Sequence, residues 1–302
     1  MIKGWILSVA ACLAFAGTAI AEETAPRTPQ EQAAADAWQR ASDAMIEGPS
    51  VIELKDQATL ALPASYGFIP KKEAVALMDL MGNDTGETFI GLVFPLADEK
   101  GYFFTLDYEH SGYISDEDAK DWDIDELFQS LKDGTEAANV HREKQGVPPI
   151  VVTRWIEKPA YESATHRLVW AAEVRLKHGE DRDPGVNYNT YVLGREGYVS
   201  LNLVTAASTV ENDKPAAHEL LQAISFKDGR QYGDFNSSTD KVAAYGLAAL
   251  VGGIAAKKLG LLALLAATAA KFGKLILVAI AALGGWFAKW FKGRSSRQDP
   301  TS

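Results

Sequence analysis

Residues 166–177 have the sequence HRLVWAAEVRLK, and its alternation indicates the class of fold. Apolar side chains occupy every second position of the stretch, at Leu168, Trp170, Ala172, Val174 and Leu176. Arg167, Glu173, Arg175 and Lys177 lie between them. A period of two places the apolar set on one face of a β-strand and the charged set on the other. The stretch therefore predicts a strand of an antiparallel sheet with one buried face and one solvated face.

Further strands and helices follow on both sides of this stretch. Strands are predicted at 51–54, 59–62, 88–96, 102–108, 150–157, 187–193, 198–205 and 224–226. Thr28-Pro29-Gln30-Glu31 forms a capping box for a first helix, and apolar spacing predicts helices at 71–81 and 124–143. Lys214-Pro215 opens a fourth helix. The pattern predicts an α+β domain over 47–235, with an antiparallel sheet covered by helices on one or both faces and preceded by a helix and linker at 22–46.

The amino terminus has the features of a secretory signal peptide. Lys3 precedes an apolar run at 4–17, and Ala19-Ile20-Ala21 is a small-x-small cleavage site, so 1–21 is predicted to be removed. An uncleaved amino-terminal anchor is the alternative. Cys12 is the only cysteine of the chain and lies in this segment. A processed chain therefore has no disulfide, thiolate nucleophile or cysteine-bound metal.

Charge is divided unevenly along the chain. Residues 22–241 hold 39 acidic and 21 basic side chains, a net charge of −18, whereas 242–302 hold one acidic and eight basic ones, a net charge of +7. An acidic domain argues against nucleic acid as a partner, because phosphate binding needs a positive surface. A basic, apolar carboxyl-terminal region favours contact with anionic lipid.

The carboxyl-terminal region is interrupted by lysines. Its apolar runs, 242–256, 259–270 and 275–288, are each shorter than the roughly 20 residues that a helix needs to cross a bilayer. A crossing must therefore include lysines near its ends, where their long side chains reach the headgroups. The windows 243–262 and 273–292 meet this condition. We predict membrane-anchor helices over 242–292, with one or two spans, and a basic polar tail at 293–302. The anchoring side chains are Lys257, Lys258, Lys271, Lys274, Trp286, Lys289 and Trp290.

Small residues recur every seven positions in the same region, at Gly246, Gly253, Gly260 and Ala267. Such a stripe permits close helix packing, within a hairpin or between copies of the chain, and so predicts a homo-oligomer. The alternative is that alanine and glycine are simply abundant in apolar helices.

The motifs that resemble catalytic or metal sites are incomplete. Asp121, Asp123 and Asp125 are spaced like the start of a calcium loop, but Glu126 and Lys132 stand where glycine and glutamate are needed. Asp123 is instead predicted to cap the helix that follows it. The five histidines lack metal-ligand spacing, so no metal or cofactor is expected. Ser238 and Lys241 match Ser-x-x-Lys, which we interpret as part of a helix cap.

Aromatic residues are concentrated in the second half of the predicted domain. Tyr188, Tyr191 and Tyr198 are candidates for a binding face on the less buried side of the sheet. Packing within the core is the alternative.

Two stretches carry a resemblance to a known family. YGDFNSSTDKVAAYGLAALVGGIAAKKLGL (232–261), with NYNTYVLGREGYVSLNLV (187–204) upstream, resembles domain-of-unknown-function family 2167, uncharacterised bacterial membrane-anchored proteins. The resemblance covers most of 47–275 and implies a location at the membrane but no activity. LALPASYGF and HELLQAISF resemble the edges of PsbP/Mog1-like sandwich domains, a likeness of fold that does not fix function.

Together these features predict a protein of the bacterial inner membrane whose main domain faces the periplasm. Binding or scaffolding in the cell envelope, with an envelope protein as partner, is the expected role, because anchoring is visible in the sequence and a catalytic constellation is not. A membrane-tethered hydrolase with serine, histidine and aspartate groups distant in sequence is the alternative.

Overall fold

A computed structural model describes residues 29–83, 85–97, 100–179 and 183–253. The helices are α1 (Pro29–Asp43), α2 (Lys71–Leu80), α3 (Ile124–Lys144) and α4 (Val210–Gln222). The strands are β1 (Ile46–Glu47), β2 (Ser50–Leu54), β3 (Ala58–Leu62), β4 (Tyr66–Pro70), β5 (Phe89–Pro95), β6 (Phe103–Glu109), β7 (Ile150–Glu162), β8 (Arg167–Leu176), β9 (Gly185–Leu193), β10 (Tyr198–Ala206) and β11 (Ile224–Phe226).

The strands form two antiparallel sheets. The main sheet has eight strands in the order β1-β4-β5-β6-β10-β9-β8-β7, and the small sheet has three in the order β11-β3-β2. Neighbouring strands within each sheet run in opposite directions. The prediction of an α+β domain with a large antiparallel sheet is confirmed.

The first face of the main sheet is covered by the small sheet and α4. Phe104, Leu106, Leu201 and Tyr188 of the main sheet form a core there with buried side chains of the small sheet, among them Leu60. Helix α4 packs on β9 and β10. A sheet between two layers has no solvated face over most of its area.

The prediction that one face of β8 is solvated is therefore wrong. Val169 and Ala171 pack in the core of the first face, and Glu173 is only 2% exposed. Glu173 keeps its charge inside the protein because Arg154 and Arg175 pair with it, each at 2.8 Å. Buried carboxylates need such partners. At Glu173 the charge thus reflects ion pairing and not exposure to solvent, although the side chain of its partner Arg175 is 40% exposed.

The second face of the main sheet is covered at its two flanks. Helix α2 packs on β4 and β5 with α1 against it, and α3 packs on β7. Helix α3 begins where the sequence predicts. The Asp123 carboxylate accepts hydrogen bonds from the backbone N–H groups of Asp125 and Glu126 at 2.9 and 3.0 Å. The predicted capping role of Asp123 is confirmed.

Helix α4 begins five residues earlier than its sequence predicts. Pro215 lies inside the helix and not at its start. The sheet holds this extra turn in place, because the Thr205 hydroxyl donates a hydrogen bond to the buried carboxylate of Asp213 at 2.6 Å. A tertiary contact of this kind outweighs the local preference of proline for the first helical position.

Candidate functional site

The chain returns to the domain after β11 and docks along the second face of the main sheet. Tyr113 N–H donates to the carbonyl of Lys241, and Ala243 N–H donates to the carbonyl of Tyr113, both at 2.8 Å. This parallel bridge aligns Val242 with Tyr113. We call residues 242–253 the docked segment.

An aspartate caps the last turns of the docked segment. The Asp118 carboxylate accepts hydrogen bonds from the backbone N–H groups of Leu247 and Ala248 at 3.2 and 3.0 Å. A carboxylate at this position satisfies two amides that have no partner within the helix. Gly246 leaves room for it, because a Cβ there would lie 2.5 Å from Asp118 Oδ2. Burial raises the pKa of Asp118, and the two backbone hydrogen bonds oppose that rise.

The docked segment buries its apolar side chains in the domain. Leu247 and Val251 are 0% and 1% exposed, and they share a core with Leu131 of α3 and Leu168 of β8. The indole Nε1 of Trp170 donates to the carbonyl of Leu250 at 3.1 Å. Apolar burial and a buried hydrogen bond together attach the segment to the sheet.

The structure differs here from the predicted boundaries, which ended the domain at 235 and began the anchor at 242. Residues 242–253 belong to the folded domain, because their apolar side chains face protein. The predicted anchor side chains, Lys257, Lys258, Lys271, Lys274, Trp286, Lys289 and Trp290, lie outside the described residues. Among the described residues, no helix combines the length and the apolar character needed to cross a bilayer.

An ion pair fixes the chain just before the docked segment. Arg195, between β9 and β10, donates to both carboxylate oxygens of Asp240 at 2.7 and 2.8 Å. These bonds and one from the Asn236 N–H hold the pKa of Asp240 well below its usual range. Ser238 and Lys241 flank this pair in an exposed turn. The Ser-x-x-Lys spacing thus belongs to a turn built around Asp240.

Three polar side chains meet near the turn between β7 and β8, and we call them the Asp-Tyr-His cluster. The Tyr161 hydroxyl donates to Asp116 Oδ2 at 2.7 Å and lies 3.0 Å from His166 Nδ1. Because a phenol has one proton and gives it to Asp116, His166 must donate through Nδ1–H, which leaves Nε2 as an acceptor. The His166 ring stacks on Tyr232 with 4.0 Å between centroids.

The Asp-Tyr-His cluster is partly open to solvent. Side chains of His166 and Asp116 are 32% and 27% exposed. Burial lowers the pKa of His166, and the nearby Asp116 opposes this effect. Burial and the bond to Asp116 raise the pKa of Tyr161 above its ordinary value. His166 also has a positive φ of 52° at the turn between β7 and β8, a conformation uncommon for residues other than glycine.

The three tyrosines proposed as a binding face do not share a surface. Tyr188 and Tyr191 are three residues apart on one strand, so their side chains point to opposite faces. Tyr188 is fully buried and contacts His218 at 3.1 Å, and Tyr191 is 9% exposed. Tyr191 and Tyr198 meet edge to face, with 5.6 Å between ring centroids. The interpretation as a single exposed face is wrong, and these side chains pack within the domain.

The residues that hold the docked segment are not recognisable from the sequence. Asp118 lies inside an acidic run that reads as solvated surface, and Tyr113 lies in a stretch without periodicity. Gly246 was a usable signal, since a glycine in an apolar run often marks close approach. Among the described residues, no group of three or more histidine, cysteine, aspartate or glutamate side chains is arranged to hold a metal ion.

Comparison with known proteins identifies a family and distant likenesses of fold. The profile of a family described as "Protein of unknown function (DUF2167)" matches residues 46–283. No curated protein matches the chain significantly.

Two solved structures show low similarity. The solution structure of cyanobacterial PsbP from Synechocystis sp. PCC 6803 is 11% identical, with a TM-score of 0.36 over 61% of this chain and 91% of that one. The Saccharomyces cerevisiae Ran-binding protein Mog1p is 12% identical, with a TM-score of 0.32 over 58% of this chain and 94% of that one. The α+β assignment rests on the sheets and helices of the chain itself.

Proposed function

Since the chain belongs to the DUF2167 family of unknown function, we propose its role from its own geometry: a periplasm-facing binding or scaffolding component of the bacterial inner membrane. The folded domain is the exported part, and residues beyond Gly253 attach it to the bilayer. In this role the domain binds an envelope protein and holds it at the membrane.

The docked segment is the observation that carries this proposal. It joins the domain directly to the following apolar sequence, which is interrupted by lysines. Asp118, Trp170 and the Tyr113 bridge hold it at three separate places. These contacts fix the place at which the chain leaves the domain, whereas a polar linker would let that place move freely. A fixed exit point suits a protein that presents a surface to a partner in the same membrane.

Charge supports the same arrangement. The net charge is −18 over residues 22–241 and +7 over residues 242–302. Basic groups near the bilayer bind anionic lipid, while an acidic domain is repelled from the same surface. The domain is therefore expected to stand away from the lipid and to prefer basic partner surfaces.

Carbonate extraction of membranes tests the attachment. The full chain should remain in the membrane pellet, and a chain ending at Gly253 should be released, because the truncation removes all anchor residues and keeps the docked segment. Crosslinking and pull-down from the same membranes would then identify the partner. Retention of the shorter chain in the pellet, or release of the full chain, would contradict the proposal.

The Asp-Tyr-His cluster favours a second candidate, a membrane-tethered hydrolase. His166 Nε2 is an acceptor, and Tyr161 and Asp116 orient the ring from the other side, which is how a general base is positioned. His166 bonds to a tyrosine, so the serine nucleophile expected from the sequence has no place in this contact. Hydrolysis of model esters that is lost in His166→Asn would support an enzyme. Equal hydrolysis rates for the parent chain and His166→Asn would exclude a hydrolase that uses His166.

A further inference from the structure

The Asp-Tyr-His cluster brings together three donor atoms of the kinds that bind metal ions. Asp116 Oδ2 lies 2.7 Å from the hydroxyl oxygen of Tyr161, which lies 3.0 Å from His166 Nδ1. His166 Nδ1 and Asp116 Oδ2 are 4.0 Å apart. A carboxylate, a phenol and an imidazole therefore converge near the turn between β7 and β8.

The distances between the three donors match the geometry of a metal site. Around an octahedral ion with bonds of about 2.0 Å, neighbouring donors are separated by about 2.8 Å and opposite donors by about 4.0 Å. In the cluster, the Tyr161 oxygen neighbours both other donors, and Asp116 Oδ2 and His166 Nδ1 are the opposite pair. An ion midway between that pair would lie about 2.0 Å from all three atoms, the usual length of a bond from a metal to nitrogen or oxygen.

The cluster is accessible to a cation and lies in an acidic part of the chain. The side chains of Asp116 and His166 are 27% and 32% exposed, so an ion can enter from solvent and water can complete its coordination. Glu117 and Asp118 follow Asp116 directly, and residues 22–241 carry a net charge of −18. A negative field of this kind raises the local concentration of cations.

The surrounding contacts hold the three donors in place. The ring of Tyr232 stacks on His166, with 4.0 Å between centroids. The Tyr232 hydroxyl donates a buried hydrogen bond to the carbonyl of Ile114 at 2.9 Å. Tyr232 thus connects the histidine to the segment that carries Asp116, and the Tyr161 hydroxyl makes a second connection between them. Metal sites depend on such outer contacts to orient their ligands.

The backbone at His166 is also typical of a binding site. Its φ of 52° is a conformation that glycine or asparagine adopts at lower cost. The turn is closed beside it by a hydrogen bond of 2.6 Å from the Thr165 hydroxyl to the carboxylate of Glu162. Residues held in sparsely populated conformations occur frequently at ligand sites, where the side chain serves a purpose that outweighs the strain.

The phenol determines which class of ion suits these donors. Imidazole and carboxylate bind many first-row metals, whereas a phenol with a pKa of about 10 must lose its proton to become a strong ligand. Burial and the bond to Asp116 raise the pKa of Tyr161 further. A bound cation favours the deprotonated ligand, and it does so most strongly when its charge is high. A trivalent ion such as Fe³⁺ meets this requirement better than a divalent one.

We propose that Asp116, Tyr161 and His166 form a site for a ferric ion. The ion bonds to one carboxylate oxygen, to the phenolate oxygen and to Nδ1, and water fills the other positions. Binding releases the Tyr161 hydroxyl proton to solvent, while the proton on His166 moves from Nδ1 to Nε2. No electron is transferred. The site goes beyond the scaffolding role, and it involves the cluster of the hydrolase candidate without requiring a reaction.

Iron binding by the full chain tests this proposal. The untagged chain in detergent is freed of metal with a chelator, mixed with ferric nitrilotriacetate and desalted. We expect iron to be retained in a one-to-one ratio with the chain. We also expect a visible charge-transfer band from phenolate to iron, which ligation by aspartate and histidine alone does not produce.

Substitutions assign the bound iron to the cluster. Tyr161→Phe should abolish the visible band and lower the affinity for iron at least tenfold. Asp116→Asn and His166→Asn should each lower the affinity by a similar factor. His141→Asn is the control, because it changes an exposed histidine in the last turn of α3, and it should leave the band and the affinity unchanged. Circular dichroism checks that each variant is folded.

Several results would overturn the proposal. A parent chain that retains no iron, or that retains iron without the visible band, would do so whether or not the variants fold. An equal band and equal retention in Tyr161→Phe would indicate an adventitious ion only. Retention of zinc in preference to iron under the same conditions would contradict the assignment of a ferric site. These results leave the membrane attachment untouched, because carbonate extraction tests it separately.

Discussion

The indole of Trp170 and the carbonyl of Leu250, 80 residues apart in sequence, are joined by a buried hydrogen bond of 3.1 Å. Trp170 belongs to the strand that defines the main sheet, and Leu250 belongs to the apolar region that the sequence assigns to the membrane. The contact shows that the folded domain extends to Gly253.

Replacing the donor of this bond should loosen the docked segment. Trp170→Phe keeps an aromatic ring and leaves the Leu250 carbonyl without its partner, which costs about 1–3 kcal/mol of unfolding free energy. Thermal or denaturant unfolding of a chain ending at Gly253 measures the loss.

Trp155→Phe is the matched control for this change. Trp155 packs edge to face on Trp170, and its Nε1 has no hydrogen-bond partner among the described residues. The control should therefore be the milder substitution. Equal losses for the two variants would assign the effect to ring size instead of the hydrogen bond.

Removing the cap on the docked segment should expose its amides. Asp118→Ala deletes the acceptor of the Leu247 and Ala248 N–H groups, and loss of a cap costs about 0.5–2 kcal/mol. Hydrogen exchange of these two amides should accelerate.

Asp123→Ala provides the comparison, since Asp123 caps α3. It should reduce stability to a similar extent while exchange is fastest at the start of α3. Slow exchange at Leu247 in Asp118→Ala would contradict the capping role.

Stability should depend on pH through Asp107. Burial raises the pKa of Asp107 to about 7, with the Thr88 hydroxyl and Lys71 opposing the rise. The folded state then binds a proton that the unfolded state has released between about pH 4 and pH 7, so the free energy of unfolding falls as pH rises through this window, by at most about 1.4 kcal/mol per unit.

Asp107→Asn removes this titration. In a chain ending at Gly253, the variant should gain stability relative to the parent chain between pH 4 and pH 8, as measured by urea unfolding at several pH values. A difference between the two chains that does not change with pH would show that Asp107 titrates normally.

His166 should have the opposite effect at lower pH. Its pKa is lowered in the folded state by burial, and the charged or titratable groups that face it are Asp116, Tyr161 and the stacked Tyr232. The stability that it contributes is present above the ordinary histidine pKa and is lost as pH falls through the folded-state value. His166→Asn, chosen because asparagine tolerates positive φ, should show a smaller loss of stability between pH 7 and pH 5 than the parent chain. Parallel pH profiles would exclude His166 as the group responsible.

The sequence is sufficient to predict the class of fold. It is not sufficient to predict that the docked segment packs on the second face of the main sheet. Alternation in 166–177 and the cap at Asp123 are local signals, and both were interpreted correctly as strand and helix start. Glu173 is predicted to be solvated because the sequence does not distinguish a glutamate that is paired inside the protein from one that is exposed to water. Tyr188 and Tyr191 are predicted to share a binding face, but residues three positions apart on a strand point to opposite faces.

The docked segment was misread for a physical reason. Leu247, Val251 and their neighbours are apolar and separated by small residues, and such a sequence is equally suited to lipid and to the interior of a domain. Its partners, Asp118 and Trp170, lie far away in the chain, so only the folded structure brings them together. Gly246 is required by Asp118, which explains one member of the small-residue stripe without a second copy of the chain.

Thermal unfolding of two truncated chains tests whether the docked segment is part of the folded domain. One chain ends at Gly253 and the other at Asp240, so that they differ by the docked segment. We predict that the longer chain unfolds cooperatively as a soluble protein and that the shorter one loses several kcal/mol of stability, because it exposes the core that Leu247 and Val251 fill. Equal unfolding temperatures for the two chains would show that residues 242–253 are not part of the folded domain.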